Sequence, residues 1–169
     1  MLNKIDGNVI TYESKRSKLI CHIVNTSNVM GSGVAYSLYK KWPMVKREYH
    51  EWGNYQYYNT VDNLNRDVEW MLGQVQFLKV EPKVFVANML GQRSPGGTTI
   101  DNVFLQPIRW DCVKECMLRV SEFANKYNCE IVCPYFGCER AGGKEEELLA
   151  LINEVWNNVE VTLVRFKNE

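Results

Sequence analysis

Short apolar runs alternate along this chain with longer amphipathic stretches. Leu19 to Val24 (LICHIV) is apolar on both parities and reads as a buried strand. It ends in the turn-forming run Asn25-Thr26-Ser27-Asn28, and a glycine turn, Met30 to Gly33, follows. Val34 to Trp42 has helical periodicity and stops at Pro43. Met44 to Trp52 continues for a helical turn or two, and the polar, tyrosine-rich stretch Asn54 to Asp67 reads as irregular. Leu72 to Val80 and Lys83 to Met89 form two strands of a hairpin around Glu81-Pro82. Gly91 to Asn102, with Ser-Pro-Gly-Gly-Thr-Thr, is a loop.

The clearest helix runs from Pro107 to Tyr127, with Pro107 in its first turn. Its apolar face is read as Ile108, Cys112, Cys116, Val120, Phe123 and Tyr127. Glu130 to Tyr135 is a second buried strand, leading into a second glycine turn, Gly137 to Gly143. Glu145 to Trp156 is helical, with acidic residues in the first turn as the helix dipole favours. Val159 to Phe166 is a final strand. This order predicts one three-layer α/β/α domain, residues 1–169, around a mixed central sheet.

Composition adds exclusions. The chain has 20 basic and 20 acidic residues and no net charge, which argues against general nucleic-acid binding through a basic surface. It does not argue against a small anion held by backbone N–H groups. The six cysteines lack the spacing of a zinc site, so no metal or other cofactor is expected, and reduced, packed thiols are the reading. There is no basic start followed by an apolar stretch, and no apolar run of membrane-spanning length. A cytoplasmic protein without membrane contact is expected.

Both glycine turns follow a buried strand and precede a helix, the place where α/β sheets hold ligands. Glycine lets the backbone approach a phosphate closely, and the helix N-terminus supplies unpaired N–H donors. No Gly-Lys-Ser/Thr follows either turn, and the full GxGxxG pattern is absent. Triphosphate hydrolysis and dinucleotide oxidoreduction are therefore disfavoured.

Gly7-Asn8-Val9, His22 to Asn25, Met30-Gly31-Ser32-Gly33-Val34-Ala35, Trp42-Pro43, Gly91-Gln92 and Pro134 to Gly143 together resemble a macro domain, the family that binds ADP-ribose. The resemblance covers nearly the whole chain. It lies nearest the phage and bacterial branch of ADP-ribose 1″-phosphate phosphatases and deacylating ADP-ribosyl hydrolases. It implies a hydrolase acting at the distal ribose of ADP-ribose derivatives, ADP-ribosylated protein among them, or else a module that binds such nucleotides without turnover. It also implies that Asn8, with Val9, meets the adenine amino group. Gly31, Ser32, Gly33 and Val34 would line the diphosphate from one side, and Phe136, Gly137, Cys138, Glu139, Arg140, Ala141 and Gly142 from the other. Asn25 would face the distal ribose, and Phe166, or Arg165, would stack on adenine.

Chemistry at the distal ribose requires an activated water and a stabilised leaving group. The catalytic candidates are Asn25, His22, Glu139 and Gln92. His22 lies on the opposite strand face from Asn25 if the strand stays regular, and a hydrogen-bonded core histidine is its alternative reading. Glu139 is a candidate base or a solvated carboxylate, and Asn28 a further contact from the first loop. Cys138 has no adjacent histidine to activate it and reads as packing. The cluster Tyr55, Tyr57 and Tyr58 reads as loop packing.

Overall fold

The computed structural model describes residues 2–31, 33–58, 72–93, 98–138 and 141–167. Strands β1 (Leu2–Gly7) and β2 (Ser17–Asn25) precede helices α1 (Val34–Lys41) and α2 (Met44–Tyr58). Strands β3 (Val75–Glu81), β4 (Val84–Gln92), β5 (Thr98–Ile100) and β6 (Val103–Leu105) follow. Helix α3 (Trp110–Tyr127), strand β7 (Cys129–Cys133), helix α4 (Glu145–Val155) and strand β8 (Val161–Phe166) complete the order. Six strands form one sheet in the order β1-β8-β7-β2-β4-β3, and β5 and β6 form a separate ribbon. Every pairing in the large sheet is parallel except the β3–β4 hairpin, so the sheet is mixed.

Strand alternation builds two apolar layers. Ile20, Val24, Val86, Leu90, Val132 and Val164 pack with Leu38, Trp42, Val45 and Tyr49 of the α1–α2 region. Their sequence neighbours Leu19, Cys21, Ala87, Met89, Ile131 and Leu163 pack on the other face, against α3 and α4. The Trp156 indole nitrogen donates to the Met117 carbonyl at 2.8 Å and fixes the end of α4 on α3.

Several expectations shift. Helix α2 extends to Tyr58, past the expected Trp52; the side chains of Tyr55, Tyr57 and Tyr58 and residues 59–71 lie outside the description. Helix α3 begins at Trp110, so Pro107 precedes it, and Ile108 instead bridges to Gln92. The buried face of α3 is Val113, Cys116, Met117, Val120, Ser121 and Ala124. Part of the expected loop after Gly91 is the β5–β6 ribbon. The acidic start of α4 is as expected, with Glu147 also accepting from the Lys144 backbone N–H at 3.0 Å.

Candidate functional site

The parallel strands end together, and a cavity of about 640 Å3 opens at the carboxyl ends of β2, β4, β7 and β8. That volume suits a mid-sized ligand. One wall is the turn before α1, contributing Gly31, Gly33 and Val34. Gly33 sits at φ 66°, ψ −139°, a backbone region open essentially to glycine alone. It turns the chain so that α1 begins at the cavity. The first turn of α1 carries no acidic residue, leaving its N–H groups and dipole to attract an anion.

The opposite wall is Phe136, Gly137, Cys138 and Ala141. The loop is held tight because the Gly143 N–H donates to the Gly137 carbonyl at 2.9 Å. It lies on the Trp110 ring: a Cβ at Gly143 would come within 2.4 Å of Trp110 Cζ2 and of the Gly137 oxygen. The Trp110 indole nitrogen is the one buried side-chain nitrogen or oxygen without a partner among the described residues. Nothing in the sequence pattern singles out Trp110.

At the β2 end of the cavity stand His22, Asn25 and Gln92. Here the β2–β4 register shifts between Val24 and Asn25, with Gly91 as the extra residue of β4. The strand does not stay regular, and His22 and Asn25 both line the cavity. The Asn25 amide donates to the Val29 carbonyl at 2.7 Å and accepts from the Val29 N–H at 3.2 Å, closing the first loop on itself. Tyr49 donates to the Asn25 carbonyl at 2.6 Å, and burial pushes its phenol pKa upward. His22 is buried and hydrogen-bonded to Asn88; burial pushes its pKa down to about 4, partly opposed by that bond. The ring is therefore neutral at pH 7.

Phe166, at the end of β8, is 58% exposed and lines the cavity, an aromatic ring of the kind that suits a planar ligand. Arg165 is already stacked on Tyr135 at 4.2 Å and paired with Glu145 at 3.0 Å. Gly7 stands opposite Phe166, which puts Asn8 and Val9 just beyond the same edge. Neither lines the cavity: Asn8 accepts from the Ile10 N–H at 2.8 Å, and Val9 is in the core. Buried Lys18 holds this segment, donating to the Val9, Ile10 and Tyr12 carbonyls at 2.9 Å each.

Asn28 faces α2 instead, with its oxygen 2.9 Å from His50 Nδ1 and its amide 3.3 Å from the Asn54 oxygen. Gly142 supports the second loop against Gln106 without lining the cavity. Ser32, Glu139 and Arg140 lie outside the described residues. Among the described residues no cluster of three histidine, cysteine or acidic side chains could hold a metal, and no helix is long and apolar enough to cross a membrane.

Solved structures share this architecture over the full chain. A protein of unknown function from Bacteroides thetaiotaomicron is 32% identical, covering 99% of this chain and 98% of its own, with a TM-score of 0.84. A macrodomain protein from Streptomyces coelicolor covers 100% of both chains at 24% identity, with a TM-score of 0.77. This chain has the macro domain fold. The macrodomain of Thermus aquaticus DarG has it too, at 18% identity, 99% coverage of both chains and a TM-score of 0.72. No protein-family model matches the sequence, and no curated protein does. In the macro domain fold of this chain, the two glycine turns and the strand ends thus frame one cavity.

Proposed function

We propose that this protein binds ADP-ribose or a derivative of it in the cavity at the strand ends. The observation that carries the reading is the pair of backbone walls, Gly31 and Gly33 at the start of α1 and Gly137, Cys138 and Ala141 from the second turn. They flank a slot with an exposed aromatic ring, Phe166, at one end and the polar group Asn25, Gln92 and His22 at the other. Backbone N–H groups suit a diphosphate, the ring a base, and the polar end a second ribose. Two proteins of this fold support the choice of ligand: Thermosipho africanus DarTG, solved in complex with ADP-ribose, and a variant of the Oceanobacillus iheyensis macrodomain, solved with ADPR.

Hydrolysis at the distal ribose, of a 1″-phosphate or an ADP-ribosyl linkage, is the second reading. It is favoured by the convergence of Asn25, Gln92 and His22 at the sugar end; Glu139, the candidate base from the sequence, lies outside the described residues. Calorimetric titration with ADP-ribose tests the first reading; absence of binding overturns it. Incubation with ADP-ribose 1″-phosphate and with ADP-ribosylated protein tests the second. Tight binding without product in either reaction leaves a binding module.

A further inference from the structure

Three polar side chains cross the sheet in one row. His22 on β2 stands opposite Asn88 on β4, and Asn88 stands opposite Gln76 on β3. His22 is 3% exposed and Asn88 fully buried, in the layer that otherwise holds Ile20, Val24, Val86 and Leu90. Polar groups in such a layer are costly unless every one is hydrogen-bonded.

The row is satisfied in one direction of donation. The Glu48 carbonyl of α2 can only accept, so Gln76 Nε2, 2.9 Å away, donates to it. Gln76 then presents its oxygen to Asn88 Nδ2, which donates at 3.0 Å. Asn88 is left presenting Oδ1 to His22 Nε2, which must carry the proton of that bond. A neutral imidazole has one N–H, so Nδ1 is a lone-pair acceptor. His22 lines the cavity. Among the described residues the hydrogen bond of the His22 ring is the one to Asn88, which leaves Nδ1 to accept from the cavity that His22 lines.

We infer that Gln76 and Asn88 are positioning residues that lock His22 in the Nε2–H form, so that Nδ1 accepts a hydroxyl of the ligand's distal sugar. The placement follows from the sheet: β2 lies two strands from β8, whose Phe166 marks the base end. The choice of sugar rests on the nucleotide reading above; the locked tautomer does not. The same acceptor selects against a phosphate oxygen there, which at neutral pH has little proton to give.

The test is imidazole 15N NMR on histidine-labelled protein between pH 5.5 and 8, with His50→Gln to assign the two rings. His22 should show a single Nε2–H tautomer that does not titrate in this range. An Nδ1–H tautomer, a mixture, or titration near pH 6.5 overturns the relay. Gln76→Met removes the group that orients Asn88. It should lower the Nε2–H population and weaken ADP-ribose binding roughly three- to tenfold. ADP, which lacks the distal sugar, should bind unchanged. Equal losses for both ligands, or an unchanged tautomer, overturn the proposal. If Gln76→Met does not fold, the wild-type shifts decide the relay. If the wild type binds no ADP-ribose, the sugar assignment falls and the tautomer is still judged by its shifts.

Discussion

Gly31→Glu separates the role of the first loop from the stability of the fold. Both Gly31 and Gly33 line the cavity, and a Cβ at either would meet no atom within 4 Å. They differ in backbone. Gly33 is at φ 66°, ψ −139°, where a side chain costs about 1–3 kcal/mol, whereas Gly31 has no positive φ. Gly31→Glu should therefore have a stability within about 0.5 kcal/mol of wild type, and Gly33→Glu should be destabilised by the full backbone penalty. On binding, the new carboxylate stands beside the diphosphate. At ~5 Å and an effective dielectric near 20, one pair of like charges costs roughly 3 kcal/mol, about a hundredfold in affinity. Urea unfolding gives the stabilities, and calorimetric titration with ADP-ribose the affinities. Gly31→Ala is the control and should bind like wild type. Retention of affinity within threefold in a folded Gly31→Glu would refute the assignment of phosphate to this loop.

Stability should fall in acid through His22. Burial sets its pKa at about 4 in the fold against the ordinary 6.5, so the folded state binds this proton less readily than the unfolded chain. Its contribution is complete above pH 6.5 and is lost as pH falls towards 4, about 3 kcal/mol in all; His22→Gln should remove that share of the slope in urea titrations run from pH 7 to 4. Gly143→Ala should destabilise by about 1–3 kcal/mol, because its Cβ meets the Gly137 oxygen and the Trp110 ring at 2.4 Å; an unchanged melting temperature would show that the loop yields easily. Phe166→Ala should weaken ADP-ribose binding by roughly three- to tenfold with little change in stability, since the ring is mostly exposed. An equal loss for ribose 5-phosphate, which has no base, would place the ring elsewhere.

The strands buried on both faces were legible because LICHIV and its counterparts carry apolar residues on both parities, with His22 an exception. Strand β1 was not: it is an edge strand with polar positions, Asn3, Lys4 and Asp6, in solvent. On α3 the expected stripe holds at Cys116 and Val120 and fails towards the helix ends for a geometric reason. Steps of four residues advance 400°, so a stripe drawn by fours drifts about 40° at each step. Begun at Ile108, which lies outside the helix, it ends on Tyr127, 47% exposed, while Val113, Met117 and Ala124 take the core. Glycine turns survive such errors because they depend on local conformation. The His22–Asn88–Gln76 row does not, since it exists only once the β2–β4 and β4–β3 registers are set.

Net charge was informative in an unexpected way. Among the described residues that line the cavity there is one permanent cation, Arg165, and Glu145 pairs with it; there is no carboxylate. These described lining residues offer a diphosphate no excess charge, so among them selectivity falls to oriented N–H groups at the start of α1 and around Gly137. Such groups are specified by backbone shape, which glycine positions announce in a sequence. Any chemistry at the sugar end would be specified by side chains brought together from separate strands, and there the structure holds a histidine hydrogen-bonded to an amide row reaching back to α2. The proposed ligand is readable from the loops because main chain would meet its largest charge. The chemistry was not, because the state of His22 is set by residues 54 and 66 positions away.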